Sequence, residues 1–421
     1  MRRRPCSALW IVLSGLALTS ASVREVEDPK STNWPRFRGP AGLGHAEDPG
    51  FPSEFELKDA AWKINLSGVG HSSPVVWEDG VYITSEAEGG TRLITRFQLS
   101  DGKPVWTHID QFEAHRQHDL NSFAAATPAL DEHGVYLVWT DGEKLVGLAL
   151  DHEGETLWER ELGPYRAQHG SGASPVVHDG VLLVVGDHEI EEETSYLLGL
   201  DCKTGEEVWR RERTSARASY ATPFVRESSD GEARAIFAST AHGMTCLDPS
   251  NGEMIWEVDG IFQQRCVGSP VFVGDVLFCS AGSGGGGKES IALRVPSDGS
   301  APKAEPVWKL TRSLPYVPTG VVKDGLLFLW SDGGIVSCVR GTDGEVLWRE
   351  RVEGRFFGSP ICVGERLFAQ SMDGELVVLQ ASSEFKLLGR VDLGHPSQAT
   401  PAVAGETLLL RTEKTLMAIR G

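Results

Sequence analysis

The stretch "SPVVHDGVLLVVGDHEIEEETSYLLGLDCKTGEEVW", residues 174–209, decides the fold. Its apolar runs are short and rich in β-branched residues, and Gly, Asp and Thr separate them, a pattern typical of strands joined by tight turns. A Ser-Pro pair stands before the first run, where proline removes no ladder donor. The stretch therefore predicts one unit of four antiparallel strands, A to D, with Trp209 in strand D.

The Ser/Thr-Pro pair that opens this unit recurs along the chain. It is found at Ser73, Thr127, Ser174, Thr222, Ser269, Ser359 and Thr400, while Thr319 followed by Gly320 takes the remaining position. Successive markers lie 40 to 54 residues apart, the period of a propeller blade. No segment after the N-terminal region sustains a helical apolar period, and 48 Gly and 22 Pro interrupt the chain throughout. The sequence predicts an all-β fold, a single eight-bladed β-propeller with four-stranded antiparallel blades.

A second marker, Gly-x-x-x-Trp, places a tryptophan in strand D. We predict that these tryptophans are structural wedges, because each blade must bury both of its faces against its neighbours and a large rigid ring fills such a contact. The alternative is that they are platforms on which a ligand stacks. The predicted wedges are Trp62, Trp106, Trp158, Trp209, Trp256, Trp308 and Trp348.

The two ends of the repeat region are complementary. The last unit stops after strand C and has no tryptophan, whereas residues 59–66 have the pattern of a lone strand D that carries Trp62. Pairing these two segments would close the ring and remove two exposed sheet edges. The predicted organisation is a signal peptide (1–22), a leader segment (23–56) and the propeller (57–421).

The N-terminus predicts export. Arg2 to Arg4 are followed by an apolar run from Ala8 to Leu18 and by the small residues 19–22, the order found in a secretory signal peptide. The apolar run is short for a membrane span, so an uncleaved anchor is the weaker alternative. Cys6 precedes the apolar run, which argues against a lipoprotein. We expect a periplasmic or secreted bacterial protein that does not insert into the membrane after signal removal.

Charge and cysteine usage narrow the classes of partner. The net charge is −19, and it becomes −22 without residues 1–22, which disfavours nucleic acid and anionic membranes. The remaining six cysteines include no C-x-x-C motif and no adjacent pair. Buried small hydrophobic side chains explain them better than disulfides do. We predict no metal site, and we expect a monomer.

The 174–209 unit resembles the pyrroloquinoline quinone (PQQ)-like propeller repeat. The core "LDxxTGxxxW" is clear at residues 200–209 and recognisable at 247–256, and the leader "NWPRFRGPAGLG" (33–44) looks like one found before the propeller in exported bacterial members. The family includes quinoprotein dehydrogenases and the outer-membrane assembly lipoprotein BamB. The resemblance covers about residues 33–421 and implies the fold, while one such fold hosts many activities.

The departures from the family limit what it implies about function. Quinoprotein alcohol dehydrogenases place a vicinal cysteine pair beside the cofactor and supply acidic and amide ligands to calcium and an aspartate base. Here the closest cysteines are Cys266 and Cys279, and no context matches the calcium ligands. No catalytic residue and no cofactor is predicted, and PQQ with calcium remains the alternative.

Three loops contain residues that suggest chemistry. His115, His118 and Asp119 in "EAHRQHD" would suit a metal, although a solvated polar loop explains them better. The acidic run 189–193 is expected to be an exposed hairpin loop. The run 282–287, "GSGGGG", lacks a following helix and a G-K-[ST] motif, so a flexible loop is favoured over a phosphate cradle.

The connections from strand D to the next strand A lead inward to the propeller axis, where we expect the ligand site. The candidate residues are His71, Asn121, His169, Tyr220, Arg265, Tyr316, Phe356 and His395. The alternative is that they satisfy backbone groups around the central channel. The sequence favours a non-catalytic, exported binding or scaffolding propeller that engages a protein or small molecule through its axial face. The alternative is a PQQ-dependent dehydrogenase, a quinone-cofactor oxidoreductase.

Overall fold

The computed structural model describes residues 32–88, 90–115, 117–191, 193–214 and 217–421. The predicted signal peptide, including Cys6, lies outside them. The described chain contains 32 strands and two short 3₁₀ turns, Pro40–Gly42 and Leu57–Asp59. Among the described residues no helix is long and apolar enough to cross a membrane.

Two short strands precede the first blade. They are β1 (His45–Ala46) and β2 (Trp62–Asn65). Blades 1 to 4 follow as β3 (Val75–Trp77), β4 (Gly80–Ala87), β5 (Thr91–Gln98), β6 (Pro104–Gln111); β7 (Ala129–Leu130), β8 (Val135–Thr140), β9 (Lys144–Leu150), β10 (Thr156–Pro164); β11 (Val176–His178), β12 (Val181–Gly186), β13 (Ser195–Asp201), β14 (Glu207–Arg213); and β15 (Phe224–Glu227), β16 (Ala233–Ser239), β17 (Gly243–Leu247), β18 (Met254–Val258). Blades 5 to 8 are β19 (Val271–Val273), β20 (Val276–Gly282), β21 (Gly287–Arg294); β22 (Val321–Lys323), β23 (Leu326–Trp330), β24 (Ile335–Arg340), β25 (Val346–Arg351); β26 (Ile361–Val363), β27 (Arg366–Gln370), β28 (Glu375–Gln380), β29 (Leu387–Asp392); and β30 (Ala402–Ala404), β31 (Thr407–Arg411), β32 (Thr415–Arg420).

These strands form eight separate sheets, so the predicted eight-bladed all-β propeller is confirmed. Seven sheets contain four antiparallel blade strands, in sequential order in six of them, while blade 8 takes β2 as its fourth strand. Blade 5 differs, because its fourth strand is reduced to a single bridge between Ala292 and Trp308. The connection before Trp308 contains Pro296, Pro302 and Pro306, and proline cannot donate to a ladder.

The ring closes as the sequence predicted. β2 lies antiparallel to β32, with Trp62 opposite Ala418 and Asn65 opposite Thr415. The N-terminal strand thus supplies strand D of blade 8. Because the first and last parts of the repeat region share one sheet, neither sheet edge is left open at the closure.

The Ser/Thr-Pro markers form a ring of hydrogen bonds around the axis. In seven of the eight steps the backbone N–H of one marker donates to the side-chain hydroxyl of the marker in the next blade. The steps are Ser73 to Thr127 (2.9 Å), Thr127 to Ser174 (3.0 Å), Ser174 to Thr222 (3.4 Å), Ser269 to Thr319 (2.9 Å), Thr319 to Ser359 (2.9 Å), Ser359 to Thr400 (2.9 Å) and Thr400 to Ser73 (3.0 Å). These seven hydroxyls pair backbone N–H groups of the innermost strands, which must find a partner away from water.

The strand-D tryptophans lie in the seams between blades. Each indole Nε1–H donates to a backbone carbonyl of the following blade at 2.8 to 3.0 Å. The acceptors, in the order of the tryptophans from Trp62 to Trp348, are the carbonyls of Leu99, His152, Cys202, Pro249, Gly299, Gly341 and Ser382. In five of the tryptophan blades a register shift just before the tryptophan leaves one residue unpaired, and such a bulge re-aims the side chain that follows it.

The glycine of Gly-x-x-x-Trp lies in the seam with the preceding blade, where it packs against that blade's tryptophan. A Cβ atom at Gly205 would lie 2.5 Å from the Trp158 ring of the preceding blade, and one at Gly252 would lie 2.6 Å from Trp209. Gly205 also has a φ of +66°. The motif therefore combines two separate contacts: its glycine receives the previous blade's indole, and its tryptophan reaches the next blade.

We expect Gly205→Ala to lower the free energy of unfolding by about 2–3 kcal/mol. The strain of an L residue at positive φ and the clash of its Cβ with the Trp158 ring add together. Gly180→Ala is the matched control, since Gly180 has a φ of +75° but a Cβ atom there would meet no other atom within 4 Å. It should cost only about 1 kcal/mol. Denaturant unfolding measures both variants, and equal losses would show that the Trp158 contact contributes nothing.

The leader fills the one seam that has no tryptophan. Gly389 opposes Val378 in blade 7 as Trp348 opposes Cys338 in blade 6. A Cβ at Gly389 would meet the Ser53 carbonyl oxygen at 2.1 Å, and the neighbouring Phe51 is fully buried. The leader thus packs where the eighth wedge would stand.

The leader also crosses the inner end of the ring. Trp34 and Val76 of blade 1 exchange two backbone hydrogen bonds, each N–H donating to the other residue's carbonyl. Strand β1 pairs in parallel with β26 of blade 7. The buried Arg38 guanidinium donates to five carbonyl oxygens: those of Gly42, Leu43, Thr319, Gly320 and Pro360. Burial lowers the pKa of Arg38 to about 9, which still leaves it charged at neutral pH. This residue fastens the leader to blades 6 and 7.

Candidate axial binding site

A cavity of about 560 Å³ lies on the propeller axis. All eight D-to-A connections contribute lining residues, and seven marker hydroxyls, all except Ser269, also line it. Phe37 of the leader belongs to the lining as well. Because the leader crosses the inner strands, the cavity is a funnel that opens on the face of the D-to-A connections.

Six of the eight predicted axial residues line this cavity. They are His71, Asn121, His169, Tyr220, Arg265 and Tyr316. Phe356 does not, because its ring is fully buried against Trp330 inside the blades; the adjacent Phe357 lines the cavity instead. His395 is half-buried outside the lining, and Gln398 of the same connection takes its place. Consecutive residues of an extended loop point to opposite sides, so a choice made by residue type alone misses by one or a few positions.

Sequence reasoning did not identify several lining residues. These are Phe37, His118 as an axial residue, Gln168, Arg217, Arg355, Phe357 and the loop residues 283–285. Arg217 and Arg355 lie in the same connections as Tyr220 and Phe356. The position of a residue in a D-to-A connection therefore indicated the cavity lining better than its residue type did. Ser283, Gly284 and Gly285 come from the "GSGGGG" loop, which reaches over the cavity from the β20–β21 hairpin.

Aromatic rings and imidazoles pack together along one wall. The rings of His118 and His169 have centroids 4.3 Å apart, and Tyr220 stands edge-on to His169 at 6.0 Å. Burial, then the Arg265 charge and then His118, lowers the pKa of His169 to about 4. Burial followed by the Arg411 charge lowers the pKa of His71 to about 4. Both imidazoles are therefore uncharged at neutral pH.

Arg265 is held in place by contacts behind the wall. Its Nη2 donates to Glu189 at 2.7 Å, and its guanidinium lies 5.7 Å from the centre of the Tyr220 ring. Glu189 also accepts the backbone N–H groups of Gln168 and Ala218. The acidic run was expected to be exposed, but its first residue is half-buried and ties three D-to-A connections together.

Asp332 fixes the connection that carries Tyr316. Its carboxylate accepts the backbone N–H of Tyr316 at 2.7 Å and that of Val317 at 3.2 Å. Burial nevertheless raises the pKa of Asp332 to about 6, because the two hydrogen bonds only partly offset the loss of water. Both Tyr316 and Val317 line the cavity, so this buried acid positions one wall.

The raised pKa of Asp332 predicts a pH dependence of stability. Between about pH 4 and 6 the folded state holds a proton that the unfolded state has lost, so the contribution of Asp332 to stability falls as the pH rises. Asp332→Asn removes this titration. We expect the melting temperature of the wild type minus that of the variant to decrease from pH 4 to pH 7, as measured by calorimetry. A difference that is constant with pH would contradict the assignment.

A second cavity of about 590 Å³ adjoins the first. His115, His118 and Asp119 of "EAHRQHD" all line it, together with Arg166 and Glu189. No group of three or more His, Cys, Asp or Glu among the described residues is arranged to hold a metal ion. The six described cysteines are buried and free. Burial raises the pKa of Cys246, Cys338 and Cys362 to about 12, so these thiols are inert at neutral pH.

A closed ring of eight blades, seven of them four-stranded, with seam tryptophans and an axial cavity, defines this chain as a PQQ-like β-propeller. The chain belongs to the family described as outer membrane protein assembly factor BamB, whose family model matches residues 58–168, 90–297 and 300–420. None of the curated proteins shows significant sequence similarity to it.

Solved structures share the fold at low sequence identity. BamB from Moraxella catarrhalis is 16% identical with a TM-score of 0.60, and the match covers 85% of this chain and 98% of that one. The quinohemoprotein alcohol dehydrogenase from Comamonas testosteroni is 14% identical with a TM-score of 0.63 and coverages of 92% and 80%. The computationally designed Ika8 protein is 12% identical with a TM-score of 0.61 and coverages of 86% and 100%. At these identities the likeness concerns the fold alone.

Proposed function

We propose that this protein is a non-catalytic binding or scaffolding propeller that engages a protein or small-molecule ligand through its axial face. One observation carries the proposal: the eight connections and Phe37 of the leader together line a cavity of about 560 Å³ on the axis. Cavities of this size with a few convergent polar groups are the usual form of a ligand site.

The contacts inside the cavity support binding over catalysis. The marker hydroxyls accept backbone N–H groups from neighbouring blades, so their positions are set by the ring. Arg265, which would be the strongest electrophilic group, is already paired with Glu189 at 2.7 Å. Among the described lining residues no carboxylate stands beside His118 or His169 to orient a catalytic base.

The cavity chemistry does not fit the calcium that quinoprotein dehydrogenases use. Calcium prefers several oxygen ligands that include carboxylates. The described lining offers amide and hydroxyl oxygens but no Asp or Glu, and it places three arginines on the same surface. The described cysteines also lack the vicinal pair of those enzymes. A calcium-dependent PQQ site is therefore disfavoured by the donor set itself.

We further propose that the protein acts outside the cytoplasm as a monomer. The support is the N-terminal order of a basic segment, an apolar run and small residues, together with membership of an outer-membrane assembly factor family. Mass measurement of the protein recovered from a periplasmic or culture fraction tests export and cleavage after Ser22. An intact N-terminus in the cytoplasmic fraction would refute the proposal.

Filling the cavity tests the proposed function. Ala125 and Val267 both line it and are half-buried, so Ala125→Trp and Val267→Trp should occupy it. Thr107→Trp, at an exposed position on the outer strand β6, is the matched control. In a ligand-observed NMR fragment screen we expect hits that bind the wild type and the control but not the filled variants. Hits that bind all four proteins equally would refute an axial site.

A further inference from the structure

We propose that the outer edge of blade 1 is a second interaction surface, at which an extended segment of another protein adds to strand β6 as a fifth strand. This surface lies at the rim of the propeller and is separate from the axial site. β6 is eight residues long and is the last strand of its sheet, where it pairs with β5. In the described part of the chain no segment pairs with its other edge. An open edge of this kind presents a row of unpaired N–H and C=O groups.

The strand register shows which backbone groups are free. The N–H of Phe112, the residue after β6, donates to the Gly90 carbonyl at 2.9 Å. In an antiparallel ladder hydrogen-bonded and non-hydrogen-bonded pairs alternate. Gln111, Ile109 and Thr107 are therefore in non-hydrogen-bonded pairs with β5. Their N–H and C=O groups point away from β5 and are available to another strand.

The side chains of the same residues form a neutral face. Ile109 is 59% exposed, more than any other large hydrophobic side chain in the described chain, and Val105 is 48% exposed. Thr107 and Gln111 are exposed between and beside them. The hydroxyl of Thr107 lies 3.2 Å from that of Thr95 on β5, so the neutral face continues onto the next strand. A further strand with β-branched side chains would extend these cross-strand contacts.

The other outer strands are protected in ways that β6 is not. Charged side chains on an edge strand discourage pairing with another chain, and so does a short edge. Two outer strands, β2 and β18, have only four and five residues. The described outer strands of six residues or more, apart from β6, all expose charged residues: Glu159, Arg160 and Glu161 on β10, Glu207, Arg210 and Glu212 on β14, Glu350 and Arg351 on β25, and Asp392 on β29. The five exposed residues of β6 include none.

Charge favours a segment of another protein over a second copy of this chain. Without residues 1–22 the net charge is −22, and two such copies repel one another. Glu88 and Glu113 are exposed near the Gln111 end of β6, which favours a basic residue at that end of the partner. The chain completes blade 8 by the same kind of strand addition, when β2 pairs with β32. The occupant is an extended segment with β-branched or apolar side chains at alternate positions and a lysine or arginine at its end.

Fluorescence anisotropy with the folded chain tests the inference. The probe is a fluorescein-labelled nonapeptide in which valine and threonine alternate between two terminal lysines. We expect saturable binding, and at least about tenfold weaker binding when proline replaces two of the threonines, because proline cannot donate to a ladder. Ile109→Lys should weaken binding of the probe about five- to tenfold, since a lysine at an edge opposes pairing. Leu157→Lys makes the same change at a 44% exposed position on β10 and should leave binding unchanged.

Thr107→Pro tests the backbone contribution. It removes an N–H that points away from β5, so the ladder within blade 1 is kept. We expect about three- to tenfold weaker binding of the probe, the value of one net hydrogen bond, with a thermal midpoint that shows the variant to be folded.

Several results would overturn the inference. Equal binding of the proline peptide would exclude strand addition, and equal weakening by Leu157→Lys would exclude β6 as the specific edge. Absence of saturable binding of the probe would exclude the surface. A dimer of the wild type that Ile109→Lys dissociates, measured by analytical ultracentrifugation, would assign the edge to a second copy. Ile109→Lys should retain the hits of the axial fragment screen, so failure at the rim and failure of the proposed function are distinguishable.

Discussion

Trp209→Ala is expected to lower the free energy of unfolding by about 3–5 kcal/mol, because it opens a cavity in a sealed seam. Trp209 is 7% exposed, packs over Gly252 of the next blade and donates from Nε1 to the Pro249 carbonyl at 2.9 Å. The substitution removes the ring and leaves that carbonyl unpaired. Calorimetry and denaturant unfolding measure the loss.

Trp209→Phe separates the two contributions. Phenylalanine keeps much of the ring contact but cannot donate to Pro249, so it should cost about 1–3 kcal/mol, less than alanine. If Trp209→Ala unfolded at the wild-type midpoint, the wedge role would be refuted and the ligand-platform alternative would gain support. A seam role also predicts that the loss is the same with and without axial ligand.

Arg38→Ala is expected to weaken the attachment of the leader to blades 6 and 7. Five carbonyl oxygens lose their donor, and an unpaired buried polar group costs about 1–3 kcal/mol. A loss of about 3 kcal/mol in local stability corresponds to roughly 100-fold faster amide exchange. Hydrogen–deuterium exchange across residues 33–46 is the measurement, with the blade strands as an internal reference.

Lys58→Ala is the control for Arg38, because Lys58 is an exposed cation that pairs with Glu56. It should leave exchange in residues 33–46 unchanged. Unchanged exchange in Arg38→Ala as well would mean that Trp34 and β1 hold the leader without the guanidinium. Since Phe37 lines the cavity, we also expect Arg38→Ala to weaken binding of any axial ligand.

At the seam between blades 7 and 8 the leader takes the position that a tryptophan takes in the other seams. There the chain lacks a tryptophan, and residues of the leader occupy the space beside Gly389. The segment that crosses the inner strands therefore also packs in the seam that lacks a tryptophan. Residues of the leader thus contribute both to the axial cavity, through Phe37, and to this seam, beside Gly389.

The sequence by itself determined the repeat, and with it most of the fold. The residue pattern within each unit predicts that unit's strands. Because units such as 174–209 recur eight times, the same pattern is observed eight times. Ring closure followed because the last unit lacked strand D while residues 59–66 supplied one, as the pairing of β2 with β32 shows. Local chemistry also indicated which segments lead to the axis, because each Ser/Thr marker precedes an innermost strand, seven of them with a proline.

Only the tertiary structure decided which side chains face the cavity and why the markers recur. Phe356 and Phe357 have the same side chain, and only one lines the cavity. The hydroxyl of Thr127 acts on Ser73, 54 residues away, and the ring of Trp158 acts on Gly205 of the next blade. Arg38 reaches carbonyls 281 to 322 residues further along the chain. Such contacts join different blades. The sequence period predicts the strands inside each blade but not the contacts between blades. The seams and the cavity form only when eight blades pack around one axis.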